Sequence, residues 1–394
     1  MPYRFSRRGF LGAAAGAVGA SMAWPRRAAA VPGNSPIYAW GTESEDYVDQ
    51  STGARVRVMT PGESEGQVIY QTDPMWANDM RYLVYQYGLP GKTRLPHARQ
   101  MASGIVRPML EEPATIALSR TSDRLYLIKD GMLMHVDVIP TFQTLRAPKR
   151  IAKLPAGISP SGGLSVDATG EKIALGVKFD DEADTWGVMY YEFKTLKWTT
   201  RARANFHVSH VQAHPSIGDF VMFCHETGGD APQRMWAIQP GQDAAMKFHE
   251  ERYEEWITHE TWWANNRALF TISPYDEEHK QKPHGIASIN IKGEDFMIHN
   301  QYDAWHTHGS PDGKWILGDD FDRNLWLIHP PTGERRLLTG GHLDGEMRPH
   351  PHASFTPDSR AVVFNSGKFG KEDVMIVELP PWDNLPAMKQ GGEK

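Results

Sequence analysis

The chain has 394 residues, a net charge of −6 with histidine neutral, and one cysteine, Cys224. Acidic and basic residues are interspersed, and no block of lysine or arginine lies beyond the first thirty residues, which argues against nucleic acid or an anionic membrane surface as a partner. A single cysteine excludes an internal disulfide, so stability must come from packing, and the apolar neighbours of Cys224 predict a buried thiol.

The first thirty residues predict an export signal. Residues 6–11 read Ser-Arg-Arg-Gly-Phe-Leu, which is a twin-arginine box, and a short apolar stretch and three alanines at positions 28–30 follow it. The apolar stretch is well short of the roughly 20 residues that a membrane-spanning helix needs. We therefore predict a Tat-type signal peptide over residues 1–30, a periplasmic or secreted mature protein, and no stable membrane insertion after cleavage.

A repeat runs through the rest of the chain. Short apolar strand cores near Asp, Asn, Gly or Ser turns begin 43 to 48 residues apart. They lie at residues 82–85, 125–128, 173–176, 220–223, 268–271, 315–318 and 361–364. A period in the mid-forties without a helical apolar stripe is typical of a β-propeller. Seven such units predict seven blades.

A second strand follows most of these cores. These second strands lie at residues 132–138, 187–193, 234–238, 285–291, 324–328 and 373–379. Turn pairs at Asp312-Gly313 and Thr332-Gly333 predict hairpins. The predicted fold is all-β, a seven-bladed β-propeller of four-stranded antiparallel blades over residues 31–380, with an early strand at 54–60 completing the last blade. Residues 381–394 are expected to form a loosely held C-terminal tail.

Histidines are numerous and unevenly placed. The chain has 17, and all but His97 and His135 lie in its second half. They recur near the predicted blade boundaries, where inner strands face a central channel. The notable groups are His207, His210 and His214; His225-Glu226 and His259-Glu260; His306 and His308; and His350-Pro351-His352.

The His-Pro-His motif predicts a metal site. In an extended strand, residues i and i+2 point the same way, so His350 and His352 could reach one ion together with His306 or His308. Imidazoles without a thiolate suit Mn²⁺, Zn²⁺, Ni²⁺ or Fe²⁺. Glu226, Glu260 and Glu346 are candidate carboxylate ligands, or partners that orient an imidazole.

The motifs resemble the oligogalacturonate lyases, a polysaccharide lyase family built on a seven-bladed propeller. The resemblance covers most of the mature chain and is specific mainly over residues 207–364. The matching stretches are His210-Val211-Gln212 with His214-Pro215, Phe223-Cys224-His225-Glu226, Gln233-Arg234-Met235-Trp236, Thr258-His259-Glu260, and His350-Pro351-His352 with Ser354-Phe355-Thr356-Pro357-Asp358.

The resemblance implies β-elimination. In that chemistry a base removes the C5 proton of a uronic acid and the 4-linked sugar leaves, while a metal and an arginine offset the negative charge near the carboxylate. It implies His259 as base and Arg234 as the charge-offsetting residue. The implied metal ligands are His350, His352 and one of His306 and His308, with Mn²⁺ as the first expected ion. We take His210, His225 and Glu226 as substrate-binding candidates.

Two departures from the family pattern leave the substrate open. The family has a glutamine three residues before the His-Pro-His pair, where this chain has Met347, a poor ligand for a hard cation. The Gly-Pro-Trp that commonly follows Glu226 is also absent. The resemblance nevertheless makes a metal-dependent lyase acting on short oligogalacturonides the first expectation.

Two alternatives remain. One is a lyase for a different uronide, such as a glucuronide. The other is a non-catalytic periplasmic propeller that binds a protein or carbohydrate partner. Convergence of the histidines on one point would separate a lyase from a docking propeller.

Overall fold

The computed structural model describes residues 46–388 apart from residues 61, 265, 275–277, 279–280 and 344–348. The predicted signal peptide, and with it the domain boundary at residue 30, therefore lies outside the described residues. None of the helices in the described part is both long and apolar enough to cross a membrane.

Within the described residues the chain is nearly all β, in seven antiparallel sheets arranged as propeller blades. The first three blades contain β3 Glu65–Gln67, β4 Trp76–Ala77, β5 Tyr82–Gly88, β6 Leu95–Gln100 and β7 Val106–Pro108; β8 Thr115–Leu118, β9 Arg124–Lys129, β10 Met132–Asp137 and β11 Lys149–Lys153; and β12 Ile158–Val166, β13 Lys172–Phe179, β14 Thr185–Glu192 and β15 Lys197–Ala204.

The next three blades follow in chain order. They contain β16 Val208–Ala213, β17 Val221–His225, β18 Met235–Ile238 and β19 Met246–Lys247; β20 Trp256–Trp263, β21 Arg267–Ser273, β22 Gly285–Asn290 and β23 Met297–Asn300; and β24 Ala304–Gly309, β25 Ile316–Asp320, β26 Leu325–His329 and β27 Glu334–Thr339. A short helix, α1 Val138–Gln143, connects β10 to β11.

The seventh blade closes the ring with strands from both ends of the chain. It contains β28 Ser354–Phe355, β29 Ala361–Ser366 and β30 Asp373–Glu378, followed by β2 Arg55–Val58 and β1 Tyr47–Val48. Val56 pairs with Val377 and Val58 with Met375, so the predicted closing strand is confirmed. Both valines are fully buried, and each contributes about 1.5–3 kcal/mol by burial.

The predicted repeat coincides with the blades. Five of the seven apolar cores lie wholly on the second strand of a blade, and those at 220–223 and 315–318 begin one residue before it. Apart from Trp315, their side chains are buried and pack between neighbouring sheets. Gly333 and Gly313 have φ of 69° and 76° in the predicted hairpin turns. The prediction of four-stranded antiparallel blades is therefore confirmed.

The C-terminal segment differs from its expectation. Residues 381–388 were expected to be loosely held, but Trp382 stacks on Trp315 with ring centroids 4.9 Å apart, and Leu385 is buried in the core of the seventh blade. The guanidinium of Arg336 also donates to the Trp382 carbonyl. An aromatic anchor and a backbone hydrogen bond thus hold this segment against the sixth and seventh blades.

The first strand of each blade lies nearest the axis. Strands β8, β12 and β16 contact one another in sequence around the ring, as do β20, β24 and β28. Side chains that leave these inner strands toward the axis therefore meet in one central channel.

Candidate functional site

Three successive inner strands, β16, β20 and β24, share one irregularity, in which two of their residues stand opposite a single residue of the next strand. The bulged pairs are His210-Val211, His259-Glu260 and Trp305-His306. Just before β28 the Asn365 N–H donates to the Pro351 carbonyl while Ser354 pairs with Val363, which leaves His352 and Ala353 opposite one residue of β29 in the same way. A β-bulge bends the strand and re-aims a side chain. Bulges repeated at one level of the ring direct several polar side chains to the channel.

Three of the bulge histidines have a left-handed backbone. The φ angles are 49° at His210, 50° at His259 and 41° at His352. Such a conformation is uncommon outside glycine, costs about 1–3 kcal/mol per residue and concentrates at functional sites. The corresponding bulge of the third blade contains Gly162 and Gly163, which adopt positive φ without that cost.

Three imidazoles converge at the axis. Ligand nitrogens of His306, His350 and His352 lie within 4.8 Å of one another. Burial, followed by the neighbouring imidazoles, lowers the pKa of His352 to about 2, and burial also lowers the pKa values of His306 and His350. Neutral imidazole is the form that binds a metal.

Asp319 orients His306. Its Oδ2 lies 2.8 Å from Nδ1 of His306, and its Oδ1 accepts the backbone N–H of His306 at 2.6 Å. Burial raises the pKa of Asp319 to about 8, against the opposing effect of that N–H. With the ring proton on Nδ1, the Nε2 lone pair is free, and this buried atom has no hydrogen-bond partner in the described part of the chain. The donor set therefore fits a divalent metal ion.

His350 has a competing partner. The indole Nε1–H of Trp305 donates to Nδ1 of His350 at 3.1 Å. A neutral ring that accepts at Nδ1 carries its own proton on Nε2, so neither nitrogen is free for a metal. Metal ligation by His350 requires this hydrogen bond to break.

His308 does not join the trio, which corrects its place among the candidate ligands. Its Nδ1 accepts the backbone N–H of Phe355 at 3.3 Å, so it connects the sixth and seventh blades. The bulge at residues 305–306 is the physical reason, because it directs His306 toward the other imidazoles while His308 lies in regular strand beyond it.

His259 lies beside the trio. Its ring centroid is 4.3 Å from that of His306, and its Nδ1 is 2.8 Å from Oγ1 of Thr258. Thr258 in turn lies 2.7 Å from Oγ1 of Thr271, which donates to a backbone carbonyl. The Thr258 hydroxyl hydrogen is then directed at Thr271, so Thr258 accepts from Nδ1–H of His259 and leaves Nε2 unprotonated. Burial lowers the pKa of His259 well below its usual value.

A second polar cluster surrounds Arg234, which is 3% exposed. Its Nε lies 3.0 Å from Glu260, which is fully buried, and one terminal nitrogen lies 3.5 Å from Glu226. Nitrogens of His210 lie 3.4 Å from Glu260 and 3.8 Å from Glu226. Burial alone would raise the pKa of Glu260, but Arg234 and His210 hold it well below the usual range. Cys224 is buried, as predicted, and its thiol lies next to this cluster.

The remaining candidates lie away from the imidazole trio and the Arg234 cluster, or outside the described residues. His225 does not join the Arg234 cluster: its ring stacks on Phe206 at 4.4 Å, because successive residues of a strand point to opposite faces and Cys224 faces the cluster. Glu346, a candidate carboxylate ligand, and Met347, which stands at the glutamine position of the family, lie outside the described residues.

Three residues at the centre were not among the sequence-based candidates. They are Tyr70, Trp305 and Asp319. The consecutive acids Asp319-Asp320 at the end of a buried strand could have suggested a histidine partner. Nothing in the local sequence distinguished Tyr70 or Trp305 from core aromatic residues.

Two curated relatives resemble the chain. An oligogalacturonide lyase of Pectobacterium atrosepticum is 23% identical over 377 residues, which covers 85% of this chain and 95% of the relative. An oligogalacturonate lyase of Dickeya dadantii is 25% identical over 212 residues, 48% of this chain and 54% of the relative. No protein-family model matches the chain.

Solved structures agree on the fold. An oligogalacturonate lyase from Vibrio parahaemolyticus superposes with a TM-score of 0.73 at 18% identity, covering 86% of this chain and 97% of its own. An oligogalacturonate lyase in complex with manganese gives a TM-score of 0.73 at 22% identity, covering 86% and 96%. The resemblance to the oligogalacturonate lyases that the histidine motifs indicated is therefore confirmed over most of the chain.

Proposed function

We propose that this protein is a metal-dependent lyase that cleaves short uronic-acid oligosaccharides by β-elimination, with oligogalacturonides as the first expected substrates. The observation that carries the proposal is the convergence of His306, His350 and His352 beside His259 at the ring axis. The lyase names of the relatives and the manganese in one structural neighbour support it.

The imidazole trio would hold a divalent ion, with Mn²⁺ expected first. A metal bound there supplies a Lewis acid for the uronate carboxylate and offsets the charge that develops when C5 loses its proton. Asp319 keeps His306 in the tautomer that ligation needs.

His259 is the proposed base. Its Nδ1–H is held by Thr258, so its free Nε2 lone pair can accept the C5 proton. Its depressed pKa keeps the ring neutral before the proton arrives.

Arg234 is the proposed charge-offsetting group, and it would have to exchange a present partner for the substrate carboxylate. It is already paired with Glu226 and Glu260, so a substrate carboxylate would compete with the longer contact, that to Glu226. A guanidinium fork suits a carboxylate because it can donate two parallel hydrogen bonds. His210, which lies between the two glutamates, is proposed to contact the sugar.

The non-catalytic alternative does not account for the site. A propeller that only docks a partner has no need to bring a candidate base and three imidazoles together, two of them, His259 and His352, at strained backbone positions. The identity of the uronide remains part of the proposal. Export by the Tat pathway to the periplasm is proposed from the twin-arginine box alone.

The test supplies Mn²⁺ to chelator-stripped protein and measures the ultraviolet absorbance of unsaturated product with a panel of galacturonides and glucuronides. We expect activity that depends on metal and is highest with short galacturonides. Metal binding without product from any uronide would remove the lyase assignment.

Two variants distinguish a role of His259 in proton transfer from a role in metal ligation. His259→Ala should lower turnover by about 10²–10⁴-fold while leaving metal content unchanged. Loss of metal in that variant would contradict the assigned role. His308→Gln is the matched control, because His308 lies outside the trio.

A further inference from the structure

The elimination needs one group that the candidates above do not provide. His259 takes the C5 proton and Arg234 offsets charge, but the oxygen that leaves C4 departs as an alkoxide unless a proton reaches it. A sugar alkoxide is a poor leaving group, and a positioned acid commonly gains about 10²–10⁴-fold in such a step.

Tyr70 lies in a segment that enters the channel from the first blade. Strands β3 and β4 both pair with β5, but the eight residues between them, 68–75, stand opposite only two residues of β5. The excess chain leaves the inner strand of the blade. Its start is fixed by Asn365, whose Oδ1 accepts the N–H of Val68 and whose Nδ2 donates to the carbonyl of His350.

The Tyr70 ring packs between the two polar clusters. Its centroid is 4.9 Å from His352 and 5.0 Å from His210. Its hydroxyl is buried, and the charges of Glu260 and Arg234 act on it. The Gln71 side chain approaches the hydroxyl, but neither group makes a hydrogen bond of ordinary geometry within the described residues.

A buried phenol hydroxyl without a partner is uncommon, because its desolvation is not offset. Here the ring that carries the unpartnered hydroxyl contacts His352, a proposed metal ligand, and the hydroxyl is close enough to the proposed uronate-binding Arg234 to feel its charge. A substrate oxygen is the natural missing partner.

We propose that Tyr70 is the catalytic acid of the elimination, which rests on the proposed function. The C5–H bond breaks and its proton goes to Nε2 of His259. The electron pair left on C5 forms the C4=C5 double bond, the C4–O4 bond breaks, and O4 takes the hydroxyl proton of Tyr70. Water then returns a proton to the phenolate and removes one from His259.

The arrangement also selects a substrate class. His259 contacts His306, whereas Tyr70 contacts His352, so base and acid flank different members of the trio. In a galacturonide, H5 and O4 are anti to one another, so separate groups must serve them. In a glucuronide they are syn, and a single group could serve both. Tyr70 as a separate acid therefore favours galacturonides.

The test compares leaving groups. Wild-type and Tyr70→Phe proteins, loaded with Mn²⁺, are assayed on digalacturonate and on a 4-deoxy-4-fluoro galacturonide, whose fluoride leaves without a proton. We expect kcat to fall by about 10²–10⁴-fold on digalacturonate and by less than about tenfold on the fluoride. Manganese affinity should not change.

Tyr87→Phe is the matched control, since its hydroxyl is on the same blade but bonds to Ser64. It should keep wild-type rates on both substrates. If kcat of Tyr70→Phe falls by the same factor on both substrates, Tyr70 is a positioning residue and the acid role is overturned. An unchanged rate on digalacturonate would also overturn the acid role. A wild-type protein inactive on every uronide would instead overturn the proposed function itself, and the acid role with it.

Discussion

Asp319→Asn tests how the protein prepares His306 for a metal. In the wild-type structure one carboxylate accepts two hydrogens of the same residue, the backbone N–H at 2.6 Å and the ring Nδ1–H at 2.8 Å. Asparagine is nearly the same size but offers only one accepting oxygen. If that oxygen faces the backbone, the amide N–H donates to Nδ1 and moves the ring proton to Nε2, where the metal should bind. If that oxygen faces the ring, the asparagine N–H faces the backbone N–H of His306, and two hydrogen-bond donors oppose each other in a buried site.

The expected magnitude follows from these two outcomes. Loss of a partner that orients a metal-binding imidazole typically costs 10- to 100-fold in affinity, about 1.4–2.7 kcal/mol. A buried donor left without an acceptor costs about 1–3 kcal/mol of folding stability. The variant should therefore bind metal more weakly and also unfold more easily without metal.

Titration calorimetry with Mn²⁺ on chelator-stripped protein measures the first effect. Wild type and variant are measured in the same buffer and at the same pH. Asp320→Asn is the matched control, because Asp320 is the next residue of β25 and bonds instead to Trp326 and Asn324. An unchanged manganese affinity in Asp319→Asn would refute the orienting role.

Three further predictions concern single contacts. Trp305→Phe removes the indole N–H that donates to His350. Manganese affinity measured by calorimetry should therefore rise by about 2- to 10-fold, the equivalent of one hydrogen bond. Weaker binding would contradict a competition between Trp305 and the metal for His350. His308→Gln should retain wild-type metal content by elemental analysis, because a glutamine oxygen can accept the Phe355 N–H; metal loss would return His308 to the ligand set. Asp49→Asn should lower the free energy of unfolding at neutral pH by at most about 2 kcal/mol, because hydrogen bonds outweigh burial and lower the pKa of Asp49 from 3.8 to about 2. That stability is present above about pH 4 and is lost as pH falls through about 2. Urea unfolding should therefore show the difference in free energy of unfolding between wild type and Asp49→Asn shrinking over this window. A difference that does not change with pH would exclude the Asp49 charge as its source.

The sequence alone determined the fold and its closure. Regular spacing of apolar strand cores specifies one blade per repeat, because each core must be covered by its neighbours on both sides. The early strand that pairs with Asp373–Glu378 was also predictable, since a ring of seven blades cannot leave a long sheet edge free.

The sequence also predicted that His350 and His352 lie together, but alternation along a strand is not what brings them together. His350 and His352 were expected to share a direction because they alternate along an extended strand. They do lie together, with ring centroids 5.7 Å apart, but both precede β28 and His352 has a left-handed backbone. The bulge, rather than the alternation, brings His352 to the axis.

Only the tertiary structure chose between His306 and His308 and brought Tyr70 to the site. The two histidines are equivalent in strand alternation, and the bulge at residues 305–306 distinguishes them because it shifts the strand by one residue against β25. Tyr70 reaches the channel because the inner strand of its blade has six more residues than its partner can pair, and Asn365 of the seventh blade fixes the loop. Both depend on contacts between strands far apart in the chain, which local residue patterns do not encode.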